Sequence, residues 1–240
     1  MSKLLRDIPV EKQIAKHMQW FERKRAEQQT TPVRTQAWTA QPYVAISREL
    51  GSGGDVIAQR LAEQLGCPLF DREIIEAIAE KTHVREELVA QFDERVRSAF
   101  DTYLQNLYTG RLFDASKYLY HLSQVLLGIV QYGRAVILGR GANFILPEAK
   151  GLRVRLVAPR GVRVKNLMRE RELDEKEALQ CIVKHDDEQR AFFQRFFHAA
   201  PDDPCAHDVI INTAHMGVEN VTSFLRQCLL CKTERETHFL

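Results

Sequence analysis

The alternation that begins at Tyr43 constrains this chain more than any other feature. Short apolar runs recur at "YVAIS", "CPLF", "AVIL", "LRVRLVA" and "HDVIINT", and segments of helical spacing lie between them. Such strands pair in parallel, because a parallel connection needs a crossover long enough to hold a helix. Helices then cover both faces, so the strands read as continuous apolar runs. The expected fold class is α/β, with three layers around a five-stranded, mainly parallel sheet. A chain of 240 residues suffices for one such domain.

The helical segments are legible one by one. "DVIAQRLAEQLG" carries apolar residues at 56, 57, 61 and 65 and closes on Gly66. "REIIEAIAEKT" follows the second strand. Residues 84 to 132 are helical almost throughout, with a break near Gly110. Two charged helices, about 160–172 and 174–197, precede the last strand, and a helix over 217–231 follows it. Upstream of the domain, Val10, Ile14, Met18 and Phe21 form one apolar stripe. A polar linker over 28–42 separates that helix from the rest. The division is therefore 1–42, 43–232 and a tail, 233–240. The stripe docks either on this domain or on another subunit, a second copy or a different partner.

Charge and cysteine content exclude several classes. A net charge of +2 is too small to call for nucleic acid, although basic residues cluster between Arg153 and Arg171. No run approaches the roughly 18 apolar residues of a membrane span. Arg6, Asp7, Glu11 and Lys12 interrupt any secretory h-region, so a cytoplasmic protein is expected. Five cysteines at irregular spacing make no disulfide framework, and Cys228 and Cys231 read as helix thiols. The histidines pair with no serine or cysteine at a readable spacing, which removes a hydrolase triad.

Polar residues collect where strands end. Ligands of open parallel sheets bind beyond the carboxyl ends of the strands. Gly51, Ser52, Gly53 and Gly54 follow the first strand and precede a helix, so backbone amides and a helix N-terminus form an anion site there. Asp71 follows the second strand, Gly139 to Asn143 the third, Arg160 to Arg163 the fourth, and Asn212 and Thr213 the fifth. Asp55 has two readings. It is a magnesium ligand beside a polyphosphate, or it weakens nucleotide binding by a repulsion of about 3 kcal/mol at ~6 Å. Arg48 is the nearest cation and stands in for a loop lysine. Arg140, among small residues past a buried strand, suits a phosphate contact. Asp186 and Asp187 share a helix face with Arg190. Asp93, Glu94 and Arg95 are either a solvated face or acceptor contacts. "AFFQRFFH" has the spacing of packing rather than of a stacking platform.

Taken together, "ISRELGSGG", "LFDREII", "VILGRGANFIL" and "DDEQRAFF…HDVIINT" resemble the cytidylate-kinase-like proteins, a branch of the P-loop nucleoside monophosphate kinases, over about 43–230. The resemblance implies a P-loop NTPase fold with a helical NMP-binding insert, about 84–132, and a helical lid, about 160–197. It implies transfer of the γ-phosphoryl group of ATP, with Mg2+, to a nucleoside monophosphate or related small acceptor. Carried over by position, residues 51–55 hold the donor phosphates, with Asn212 and Thr213 near them. Asp71 and Arg140 face the acceptor, Arg163 approaches the donor from the lid base, and Asp187 and Arg190 pair near the nucleotide. Two departures stand out: Gly54-Asp55 replaces the loop's basic residue, and Gly141-Ala142 replaces the acid that follows "GR" in cytidylate kinases. The alternative reading is a nucleotide-binding regulatory protein without efficient transfer.

Overall fold

The computed structural model describes residues 9–30, 40–81, 84, 86, 88, 94–109 and 116–234. Part of the expected linker (31–39), Asp93, the break near Gly110 and tail residues 235–240 lie outside the described residues, as do the side chains of Glu94 and Arg95.

Five parallel strands form one sheet: β1 (Tyr43–Arg48), β2 (Leu69–Phe70), β3 (Ala135–Leu138), β4 (Gly151–Val157) and β5 (Val209–Asn212), in the spatial order β2-β3-β1-β4-β5. β1 is central and pairs Tyr43 with both Ala135 and Gly151. Alternate residues of β1 serve opposite faces, as strand geometry requires. Tyr43 and Ala45 join the core on one face, and Val44 and Ile46 the core on the other.

The second of these cores is closed by α2 (Gly54–Leu65) and by the last helix, α9 (Val218–Glu234), through Ile57, Leu61, Val221 and Leu225. Gly66 ends α2 in the left-handed region that favours glycine, and its amide bonds back to Ala62 and Glu63. The opposite core takes α3 (Arg72–Glu80), α4 (Glu94–Thr109), α5 (Lys117–Tyr132) and the single turn α6 (Ala142–Ile145). α5 falls within the expected helical span. Grouped by sequence with the insert, it buries Leu119, Leu122, Val125, Leu126 and Ile129 and runs into β3 as a core helix. The two charged helices are α7 (Arg160–Arg171) and α8 (Glu175–Phe197). A small cluster of Leu50, Val164, Leu167, Ala178 and Ile182 joins them to the loop after β1.

The N-terminal helix α1 (Val10–Thr30) docks on its own chain. Its stripe buries Ile14 and Phe21, and Phe21 packs against Phe70 and Tyr132 at centroid distances of 5.9 and 5.3 Å. His17 is buried, with Nδ1 2.7 Å from the Gln13 carbonyl oxygen and Nε2 3.0 Å from that of Leu69. The helix thus covers the free edge of β2 and satisfies a carbonyl that would otherwise be unpaired. Phe21→Ala should cost about 3–5 kcal/mol through the cavity it leaves. The urea midpoint measures this, and an unchanged midpoint would mean that α1 does not dock.

Candidate active site

The loop from Arg48 to Asp55 is held from the flanking elements by its carbonyls. Arg163 Nε donates to Leu50 O at 2.8 Å, Asn166 Nδ2 to Gly51 O at 2.9 Å, and Thr213 Oγ1 to Ser52 O at 2.7 Å. Gly51 has a positive φ, and a Cβ there would lie 2.5 Å from the Arg163 carbonyl oxygen, so only glycine fits. The Ser52 amide is spent on Glu49 O. The amides of Gly53 and Gly54, at the start of α2, have no acceptor among the described residues. Two donors therefore remain at the positive end of a helix, which is the donor set a phosphate requires.

Arg48 explains the missing lysine. A Cβ at Gly54 would meet Cβ and Cγ of Arg48 at 2.7 and 2.8 Å. The arginine stem fills the room into which a side chain at 54 would project. Its guanidinium then reaches Asp55, with Nη2 2.9 Å from Oδ1. Asp55 is thereby neutralised by a cation of its own loop. Of the two readings of Asp55, bare repulsion toward a phosphate loses its basis, because the pair carries no net charge.

A cavity of about 470 Å³ opens at the carboxyl ends of β1, β2 and β3. Its lining includes Arg48, Asp55, Asp71, Arg140, His185 and Phe192. The volume lies in the range of small-ligand sites. Arg48 and Arg140 are nearly buried, at 16% and 10% side-chain exposure, whereas Glu73 and Glu188, also on the wall, are exposed. Arg72 and Arg171 on the same wall are exposed as well, so Arg48 and Arg140 are the two deeply set cations of the lining. Arg140 has φ +55° between Gly139 and Gly141, both also at positive φ. A non-glycine residue held there stores strain, a feature of ligand-binding turns. Its guanidinium pairs with Glu76 and lies 5.1 Å from the Phe192 ring centroid. Burial disfavours its charged form, and Tyr118 and Glu76 oppose that effect. The Nε atoms of Arg48 and Arg140 are buried without a hydrogen-bond partner.

Asp71 does two things at once. Oδ1 accepts from the Ile74 amide at 2.9 Å and caps α3, while the residue also lines the cavity. Under the cavity, Arg155 is 4% exposed and donates to Ser47 Oγ at 2.7 Å and Gln189 Oε1 at 3.1 Å. Gln189 Nε2 in turn donates to Arg48 O at 3.2 Å. This chain of bonds fixes the backbone from which Arg48 projects.

The other expected site residues lie elsewhere. Arg163 is 5% exposed and gripped bidentately by Asp186 at 3.0 and 2.6 Å, so it holds the loop rather than facing the cavity. Asp187 and Arg190 pair at 2.8 Å on the solvent side, each about two-thirds exposed, and do not line the cavity. Asn212 caps a short turn through Ala214 N, and Thr213 braces Ser52. Gly51 to Gly54 stand behind Arg48 and off the cavity wall. Phe196 and Phe197 are buried packing, but Phe192 and Phe193 line the cavity. Among the described residues no cluster of three histidine, cysteine or carboxylate side chains is arranged to hold a metal. No described helix is long and apolar enough to cross a membrane.

Sequence reasoning missed Gln13, Arg155, His185 and Gln189. A charged residue inside the apolar run "LRVRLVA" was a signal for Arg155. Nothing local marked the other three.

A model of the cytidylate kinase-like family matches residues 43–215. No curated protein gives a significant match. Among solved structures, an uncharacterized protein from Eubacterium ventriosum ATCC 27560 is 19% identical, with a TM-score of 0.55, covering 79% of this chain and 98% of its own. A shikimate kinase from Bacteroides thetaiotaomicron (14% identity, TM-score 0.42) covers 80% of this chain and 99% of its own. A gluconokinase from Sinorhizobium meliloti 1021 (10% identity, TM-score 0.42) covers 85% of this chain and 98% of its own.

Two outcomes follow for stability. Arg163→Ala strands the carboxylate of Asp186 and should cost about 3–5 kcal/mol, whereas Arg190→Ala should cost under about 1 kcal/mol. Equal losses in urea unfolding would contradict this division of labour. Burial also holds His185 and His207 below the ordinary histidine value, and Arg48 adds to the effect at His185. Between that lowered value and 6.5 the unfolded chain binds more protons, so stability rises with pH and is lost on acidification. The urea midpoint should fall from about pH 7.5 to about pH 5.5, less steeply in His185→Gln, and a slope unaltered by that substitution would remove His185 from the account.

Proposed function

The chain belongs to the cytidylate kinase-like family, and from that premise we propose that it transfers the γ-phosphoryl group of ATP to a small acceptor, a nucleoside monophosphate or a near relative. The observation that carries this reading is the convergence of two nearly buried arginines, Arg48 and Arg140, on one cavity beside a helix N-terminus with unused amides.

Phosphoryl transfer asks for positioning and charge neutralisation more than for a reactive side chain. Gly53 and Gly54 offer amides to the donor phosphates, and the positive end of α2 adds to them. Arg48 supplies, from the strand end, the cation that a loop lysine supplies elsewhere. Arg140 grips the acceptor phosphate with its planar fork, its plane already set by Phe192. Asp71 accepts a hydrogen bond from an acceptor hydroxyl and orients it. Half-enclosure strengthens each of these charge interactions relative to water. The chemistry of the donors suits magnesium: Asp55 is a hard oxygen ligand next to the phosphate loop, and the ion would shield phosphate charge when bound with ATP. With Gly141 and Ala142 after Arg140, the chain has no acid there to select cytosine.

A second reading, a nucleotide-binding regulator, is favoured by the Arg48–Asp55 pair, since a cation engaged with its own loop is less available to phosphate. A coupled ADP-release assay across nucleoside monophosphates, with ATP and magnesium, separates the two. We expect turnover with at least one acceptor, and a loss of about 10²-fold or more in kcat/KM for Arg140→Ala. Calorimetric binding of ATP without turnover of any acceptor would establish the regulator instead.

A further inference from the structure

Helix α1 lies wholly outside the span that the family model matches, 43–215, yet it reaches the catalytic cavity. Gln13 lines that cavity together with Asp71, Arg72 and Glu73. The placement is built rather than incidental. Gln13 sits one helical turn before His17, whose ring lies 4.5 Å from that of Phe70 and spans the carbonyls of Gln13 and Leu69. Phe21 and Trp20 pack on Phe70 from the next turn. A Cβ at Gly133 would come within 3.0 Å of the Trp20 ring, so α1 is seated tightly at that end too.

The strand that α1 grips is the one that delivers Asp71. β2 has only two residues, Leu69 and Phe70, and Asp71 follows directly. With β3 on one side and α1 on the other, the position of Asp71 depends on both. Gln13 and Asp71 also line a second groove of about 430 Å³, with Lys12, Lys16 and Trp20. Gln13 and Asp71 thus border both openings, and Gln13 brings α1 to the cavity beside Asp71.

We propose that α1 forms part of the acceptor site and that Gln13 is a specificity-determining residue, contacting the uncharged base or sugar end of the acceptor. This rests on the phosphotransferase reading above. The chemistry assigns the end: Arg48 and Arg140 take the phosphates, whereas a neutral carboxamide offers one acceptor and two donor hydrogens, which match amide edges and hydroxyls. A segment outside the family's common span thus tailors the acceptor choice of this chain.

The test uses the full chain, ATP with magnesium, and CMP, dCMP, UMP, AMP and GMP as acceptors. Gln13→Trp should raise the KM of the preferred acceptor by about tenfold or more, with the KM for ATP unchanged. Gln13→Ala, which only removes atoms from a half-exposed side chain, should alter the ranking of the acceptors. Lys16→Trp, on the same helix but lining the other groove, should do neither. Thermal melting checks that all three fold. A KM for ATP that rises in step with that of the acceptor would show that α1 acts on the fold as a whole and would overturn the proposal. So would kinetics indifferent to both Gln13 variants, which would leave the phosphotransferase reading intact. Absence of turnover in the unaltered protein with every acceptor would remove that reading, and this inference with it.

Discussion

The architecture of the site turns on the contact between the stem of Arg48 and the Cα of Gly54. A side chain at 54 and an arginine at 48 cannot share that volume, because a Cβ at 54 would lie 2.7 Å from the Cβ of Arg48, far inside van der Waals contact. Once Arg48 occupies it, the loop's cation comes from the strand end instead of the helix start. Asp55 then finds a partner at 2.9 Å, and the pair takes the place of the basic residue expected at the loop. Positions 48, 54 and 55 are thus one unit. Read singly, Gly54 and Asp55 look like losses; with Arg48 they describe a rearranged charge.

The second dependence runs from the rear of the loop. Arg163, Asn166 and Thr213 each bind a loop carbonyl, and Arg163 is in turn anchored by Asp186. Buried charge of this kind is costly to disturb and contributes geometry more than net stability. It keeps the α2 end of the loop oriented while its flanks are tied to α7 and to the segment after β5. The Arg155–Gln189–Arg48 chain does the same for the strand end. Arg163 and Arg155, the buried cations of the two networks, sit behind the cavity wall, where a surface-exposed pair such as Asp187 and Arg190 could not serve.

Most of the fold was legible in the residues. The apolar runs at 43–47, 67–70, 135–138, 152–158 and 207–213 each contain a strand, since parallel strands covered by helices need apolar residues on both faces. Gly66 as a helix stop and the stripe of α1 also follow from local chemistry. The site was legible in part. Arg48, Asp55, Asp71 and Arg140 line one cavity, as polar residues at strand ends should. Nothing in "RGVRVKN" says that the guanidinium of Arg163 meets Asp186 on another helix. Gln13 and His185 had no local signal at all, since each reaches the cavity from an element that pattern alone could not orient.

What the residues alone determined was therefore periodic and local: element type, element ends, parallel pairing, and a glycine-rich turn between the first strand and its helix. Only tertiary structure decided which charges face each other. It turned Asp187 and Arg190 outward, buried Arg163 behind the loop, laid the Arg48 stem over Gly54 and folded α1 back against β2. The reason is physical. Hydrophobic periodicity is set by neighbours a few residues away, whereas the partner of a charged side chain is chosen by packing between elements far apart in the chain, and a shift of a few ångströms there exchanges one partner for another.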